Sequence, residues 1–292
     1  MTRHEKVWTV LAMLEWATGH FEKKGVPDPR LSIEWLLADV LGIPRLDLYL
    51  KFDRPLSADE LDSLRPMVRR RSQHEPLQYI TGWTEFYNCR IEVTPDVLIP
   101  RPETEQLVDL LLEGPQFQKE SSVTVLDIGT GSGCIPVAIA SERPDWTCTG
   151  IDVSPKALEV AARNARTNRV EVEWAEADLR LLETDPAWRD RQFDLIVSNP
   201  PYILPEEQLG LEREVSEFEP DGALFHEDPV QLYRTIGRYA HRTLTGSGVL
   251  WLECNDRLTG EISKALKEFF EQVEIVKDYS DKDRFLRASA RI

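Results

Sequence analysis

The chain has 292 residues, enough to bury a sizeable core in one large domain plus a smaller one. With 41% hydrophobic and 29% charged residues, its composition is ordinary for a soluble globular enzyme. A formal net charge of -16 makes a surface that repels phosphate backbones, which argues against long nucleic acid as the main partner.

The first residues, Met1-Thr2-Arg3-His4-Glu5-Lys6, lead into an amphipathic segment rather than an apolar leader, and no apolar run is long enough for a membrane span. Residues 5–22 set Val7, Val10, Leu11, Leu14 and Phe21 at helical spacing, with Gly25 and Pro27 as stop signals. A second helix is predicted over Ser32 to Leu41, closed by Gly42. A third starts at Ser57, where Ser57 and Glu60 match a capping box. Pro66 lies inside it, and because proline costs roughly 3 kcal/mol in a helix interior, a kink or break is expected near residues 62–66. Residues 1–75 therefore read as a small helical domain, with Trp8, Trp16 and Trp35 as core or domain-contact residues. The cluster Arg65, Arg69, Arg70, Arg71 and His74 reads as the solvated face and end of a helix.

Between Tyr79 and Val93 the pattern changes to β-branched and aromatic residues flanking Tyr87-Asn88, with alternation at Cys89, Ile91 and Val93. A β-hairpin linker over residues 76–100 follows from this. The prolines of Val97-Leu98-Ile99-Pro100-Arg101-Pro102-Glu103-Thr104-Glu105 force an extended path before a helix carrying Leu107, Val108, Leu110 and Leu111. Arg101 and Glu103 suit either a surface ion pair or a lid beside a ligand.

Residues 101–292 then carry a strand–turn–helix unit. Val123 to Ile128 is apolar, Gly129-Thr130-Gly131-Ser132-Gly133 is a tight turn, and Ile135 to Ala140 is a helix, an order that brings backbone N–H groups close to a ligand. Cys134 stands where a dinucleotide-binding turn has its third glycine, which weakens a nicotinamide reading. Asp152 closes a second strand, Thr147 to Ile151, where an acid can accept from both ribose hydroxyls. Ser154-Pro155 caps and opens a helix through Ala165. Val170 to Trp174 reads as a third strand, followed by Asp178-Leu179, where the loop could meet an adenine ring; Asp178 reads either as an acceptor for its exocyclic amine or as a solvated loop acid. Residues 183–192 read as polar connection. Leu204 to Glu227 reads as a long acidic loop. Asp228-Pro229 restarts a helix, Gly248 to Glu253 is a strand, Glu261 to Phe270 a helix, and Val273 to Lys277 and Phe285 to Ala290 the last strands. This alternation predicts an α/β fold with a largely parallel sheet covered by helices. Cys89, Cys134, Cys148 and Cys254 form no C-x-x-C pair, so neither zinc nor a disulfide framework is suggested, and a reducing cytoplasm fits best.

The stretch around which the chain is organised is Phe193-Asp194-Leu195-Ile196-Val197-Ser198-Asn199-Pro200-Pro201-Tyr202. Its apolar run is a buried parallel strand, and its end offers an amide, a stiff Pro-Pro pair and an aromatic ring at the edge where open α/β sheets bind ligands. The Asn199 side-chain carbonyl and the Pro200 backbone carbonyl are two acceptors that can hold an NH2 group, and Tyr202 adds a flat stacking face and a hydroxyl.

The glycine turn, Asp152 and Asn199-Pro200-Pro201-Tyr202 together resemble the class I methyltransferases that use S-adenosyl-L-methionine to methylate planar nitrogens. Glu75-Pro76-Leu77-Gln78-Tyr79-Ile80-Thr81-Gly82, the stretch Leu98 to Glu105 and the helical domain narrow the resemblance to the bacterial protein-(glutamine-N5) methyltransferases of peptide chain release factors, over nearly the whole chain. The resemblance implies a seven-stranded, Rossmann-like sheet with an antiparallel last strand, and the glutamine of a Gly-Gly-Gln loop as substrate. It implies that Gly129, Thr130, Gly131, Ser132, Gly133, Asp152 and Leu179 line the cofactor. Asn199 would touch both cofactor and substrate amide, and Pro200, Pro201 and Tyr202 would complete the glutamine site, with Asn199, Pro200 and Tyr202 as the catalytic set and S-adenosyl-L-homocysteine as product. No metal is expected, and a monomer in the cytoplasm is. Two features depart from the family: His226-Glu227-Asp228-Pro229 replaces a glycine-rich stretch, and Asn255, which tolerates a left-handed backbone, stands near a usual glycine. Methylation of a ribosomal-protein glutamine, N6-adenine methylation of nucleic acid, and a non-catalytic cofactor-binding scaffold are the competing readings.

Overall fold

A computed structural model describes residues 7–114, 117 and 122–291. They fall into two compact units, one running to Gly82 and joined by Glu212–Phe218, the other formed by Trp83–Leu211 and the chain from Glu219 onward.

The first unit is helical: α1 (Val10–Lys24), α2 (Pro29–Leu41), α3 (Ala58–Arg71) and α4 (Leu77–Thr81). Thr9 caps α1 by accepting the Ala12 N–H, so the helix starts later than the apolar spacing suggested and Val7 lies before it, exposed. Gly25 and Gly42 end α1 and α2 in the left-handed conformation. Leu14, Phe21, Ile33, Leu36 and Leu37 are fully buried between the helices. The predicted capping box is present at Ser57 and Glu60. The expected break at Pro66 is not: α3 runs through it. Pro66 and Asp62 both face solvent, so water can satisfy the carbonyl that loses its partner.

The supposed basic face is split by burial. Arg71 is buried, donating to Ser32 Oγ and the Glu75 carbonyl and pairing with Glu214 at 2.7 Å, and His74 is buried beside the Lys24 carbonyl. Trp16 is half-exposed and stacks on His20 rather than filling the core.

In the second unit, β1 (Trp83–Phe86) and β2 (Cys89–Glu92) make the predicted hairpin about Tyr87-Asn88, both at positive φ as a type I′ turn requires. Strand character does not extend back to Tyr79, which is buried on α4. The large sheet contains β3 (Thr124–Ile128), β4 (Thr147–Asp152), β5 (Glu173–Glu176), β6 (Phe193–Ser198), β7 (Leu244–Glu253), β8 (Phe270–Lys277) and β9 (Asp283–Arg291), in the order β5-β4-β3-β6-β7-β9-β8. All neighbours pair in parallel except β9, which is antiparallel to both β7 and β8. The helices of this unit are α5 (Pro102–Leu112), α6 (Cys134–Glu142), α7 (Pro155–Asn168), α9 (Asp221–Leu224), α10 (Pro229–Thr243) and α11 (Thr259–Leu266). Ser154 and Asp228 cap α7 and α10 as expected.

Several boundaries moved. Residues 204–227 are not a loop but a 3-10 turn at Pro205–Gly210, the helix α8 (Arg213–Phe218), which belongs to the first unit, and α9. The stretch 183–192 hides Trp188, buried with Leu182 in the core of the sheet. Strand β5 starts at Glu173 instead of Val170, and Phe270 opens β8 instead of ending a helix.

Candidate active site

Strand register gathers the predicted residues. Ile151, Ile128, Ser198 and Leu252 lie opposite one another across β4, β3, β6 and β7. The next residue on each strand is therefore Asp152, Gly129, Asn199 and Glu253, four positions in one row at the carboxyl edge of the sheet. The chain turns from β3 to β4 on one side, while β6 lies on the other, so the row straddles a topological switch point, where open α/β sheets leave a crevice. The Ser198 hydroxyl donates to the Ile128 carbonyl at 2.6 Å and ties the two central strand ends together.

The glycine turn divides by function. Gly129, Gly131 and Gly133 all have φ between 53° and 75°. A Cβ added at Gly129 or Gly131 would meet nothing within 4 Å, whereas one at Gly133 would strike Trp174 at 2.7 Å and Ala161 at 2.8 Å. The first two thus leave an open cradle at the crevice, and the third permits close packing of helix on sheet. Thr130 and Ser132 are buried between them.

Asp152 braces this turn. One carboxylate oxygen accepts the Gly131 N–H and the other the Ser154 N–H, each at 2.9 Å, which leaves lone pairs on both for a ligand. Asp127 is buried beneath, with Oδ2 accepting from the Thr130 hydroxyl and Oδ1 unpartnered. Burial, and secondarily the nearby Asp152 charge, push its carboxyl up to about 7.

Asn199 is half-buried, with its Nδ2 donating to Thr104 Oγ1 at 3.2 Å, and Thr104 in turn donates to Glu253 Oε2 at 2.7 Å. Pro200 is buried, and Pro201 and Tyr202 are half-buried, with Tyr202 packed against the sheet core. Burial, reinforced by the Glu253 charge, raises the Tyr202 phenol, which keeps its proton and can act as a donor but not as a base. Arg101 pairs with Glu219 at 2.6 Å and not with Glu103, anchoring the start of α5.

Asp178 and Leu179 follow β5 on the same edge of the sheet. Leu179 packs partly against the core. The Asp178 carboxylate is held by the Arg180 guanidinium, which lowers its pKa. Thr104, Glu253 and Glu219 were not singled out from sequence. The available signal was an acid ending a strand, at Glu253, and the hydroxyl within Arg101-Pro102-Glu103-Thr104-Glu105.

A seven-stranded, mainly parallel sheet with one antiparallel strand, carrying a glycine turn, an acid and an Asn-Pro-Pro-Tyr end at adjoining strands, defines a class I methyltransferase. Comparison with known proteins gives the narrower grouping. Residues 12–82 match the family described as PrmC N-terminal domain, and residues 106–213 the methyltransferase small domain. The release factor glutamine methyltransferase of Chlorobaculum tepidum is 39% identical over 98% of this chain and 99% of its own length. That of Geobacter sulfurreducens is 42% identical over 87% of this chain and 86% of its own. A methyltransferase structure from Pyrococcus furiosus superposes with a TM-score of 0.50 at 18% identity, covering 70% of this chain and 90% of that one, a likeness of fold. The chain belongs to the release factor glutamine methyltransferase family.

Proposed function

We propose that the enzyme transfers a methyl group from S-adenosylmethionine to the side-chain amide nitrogen (N5) of the glutamine in the Gly-Gly-Gln loop of a peptide chain release factor. The observation that carries this reading is the row at the carboxyl edge of the sheet, in which a glycine cradle and an acid stand beside Asn199-Pro200-Pro201-Tyr202.

The residues present fit the cofactor. The cradle at Gly129 and Gly131 is open where a ligand must approach the backbone, and Asp152 retains acceptor capacity for two hydroxyls. Gly129 to Gly133, Asp152, Leu179 and Asn199 would hold it, while Asp178 would accept from an adenine amine only by sharing its carboxylate with Arg180. When bound, S-adenosylmethionine supplies a methyl group already activated on a sulfonium centre.

The chain's own task is to position a poor nucleophile, since an amide lone pair is delocalised into its carbonyl. The Asn199 Oδ1 and the Pro200 carbonyl accept the two amide N–H groups, hold the nitrogen in line for transfer and favour the positive charge that develops on it. Tyr202 offers a flat face to the planar amide. The helical unit serves recognition of the protein substrate, and the enzyme works as a cytoplasmic monomer. All four cysteines are free, and no helix among the described residues is long and apolar enough to cross a membrane.

Asn199→Ala tests the assignment. Turnover on a release factor is expected to fall by about 100- to 1,000-fold, with cofactor affinity changed only a few-fold. Near-normal turnover would remove Asn199 from the chemistry.

A further inference from the structure

We propose that Thr104 and Glu253 are positioning residues that fix the rotation of the Asn199 carboxamide, so that its oxygen rather than its NH2 group faces the reacting amide. The inference rests on the functional reading above and adds two residues to it.

The number of protons available fixes the direction of each hydrogen bond. Thr104 Oγ1 has a single hydrogen, and Glu253 Oε2 takes it at 2.7 Å. Toward Asn199, 3.2 Å away, the same oxygen can then only accept, so Asn199 must turn its Nδ2 to it. A carboxamide is planar and nearly symmetric in shape, so directing Nδ2 to Thr104 directs Oδ1 to the other side. Without that hydroxyl, the group can flip end for end and present donors to the donors of a substrate amide.

The placement of both residues is built in from far along the chain. Thr104 lies in the first turn of α5, opened by Pro102 and anchored through Arg101 to Glu219. Glu253 is the last residue of β7, beside Asn199 in the strand-end row and paired with Phe285 of β9. Both side chains are almost wholly buried, at 3% and 1% exposure. Among the described residues no cation lies within ion-pair distance of Glu253, and a fold that needed only packing there would be better served by an apolar residue.

Protonation of Glu253 would reverse the relay, because a neutral acid can donate to Thr104 and release the threonine hydrogen toward Asn199 Oδ1. Burial pushes this carboxyl up to about 7, against the Thr104 hydrogen bond and the Arg284 charge, which lower it. The other groups facing it are Glu103 and Arg101 at the start of α5, Tyr202, Tyr233 of α10, whose hydroxyl donates to the Glu253 backbone carbonyl, and Cys254.

The test compares wild type, Thr104→Val and Thr104→Ser in single-turnover methyl transfer to a release factor at saturating cofactor, with S-adenosylmethionine affinity measured separately. Thr104→Val is expected to slow transfer by about 30- to 100-fold, with KM for the release factor and cofactor affinity within about threefold. Thr104→Ser should recover the rate to within about threefold of wild type. The wild-type rate should fall as pH drops below about 7, and this limb should vanish in Thr104→Val. A Thr104→Val rate like wild type, a Thr104→Ser rate as slow as Thr104→Val, or a loss confined to cofactor binding would overturn the proposal. Amide hydrogen exchange at Asn199 Nδ2, read by NMR, gives a second arm that needs no methyl acceptor: protection present in wild type and lost in Thr104→Val supports the relay, and equal protection in both refutes it. A wild type that fails to methylate any release factor yet shows the protected Nδ2 would fault the functional reading and leave the relay standing.

Discussion

Gly131 and Gly133 share a left-handed backbone, but a side chain would harm them in different ways. At Gly133 a methyl group would strike Trp174 and Ala161 and also strain φ, so Gly133→Ala should destabilise the protein by about 2–4 kcal/mol in urea unfolding. At Gly131 there is room, so Gly131→Ala should cost only about 1 kcal/mol while weakening cofactor binding across the open cradle. Equal stability losses would contradict this division. Asp127 makes a pH prediction. Its carboxyl ionises near 3.8 when unfolded but near 7 in the fold, so the native state binds the proton more tightly throughout that window. Stability therefore falls as pH rises from about 4 to about 7, by an order of a few kcal/mol, and levels off above. Asp127→Asn should remove that part of the slope in urea midpoints measured across the window; an unchanged slope would assign it elsewhere. Of the candidate site, Asn199 to Tyr202 can be picked out from sequence because their side-chain chemistry lies in four consecutive positions. Thr104 and Glu253 were not, because their link to Asn199 is tertiary: Thr104, on α5, lies 95 residues from Asn199 and 149 from Glu253, and only the β6–β7 register sets Glu253 beside Asn199.

Among the elements, those marked by local chemistry were readable. The caps at Ser57, Ser154 and Asp228 bond within a few residues of themselves, and the strand–turn–helix unit at 123–140 needs only its own apolar run and glycines. Residues 204–227 were unreadable for the opposite reason. Helix α8 has no buried residue of its own, and what holds Glu214 is the distant Arg71. Helix α11 likewise stops before Phe270, whose burial in β8 outweighs the helical spacing leading up to it. Helix α3 tests how tertiary packing overrides propensity. Since Leu64 and Val68 hold it in place on either side of Pro66, Pro66→Ala should stabilise α3 by about 1–2 kcal/mol, seen as slower exchange of its amides. Unchanged exchange would mean that the helix already avoids the cost of the ring.

At the scale of the molecule, each compact unit has its own buried core, and the predicted chemistry lies entirely within the second. The net charge of -16 weighs against the rival substrate that Asn-Pro-Pro-Tyr could also serve, since an adenine in a long nucleic acid brings its phosphates with it. A neutral glutamine amide on a protein loop carries no such penalty. The measurement that decides most directly is transfer of labelled methyl from S-adenosylmethionine to a purified release factor, to the same factor with Gln→Ala in its Gly-Gly-Gln loop, and to RNA. Label on the release factor that disappears with the glutamine change is the predicted result. Label that survives the glutamine change, or appears on RNA instead, would contradict the proposed substrate.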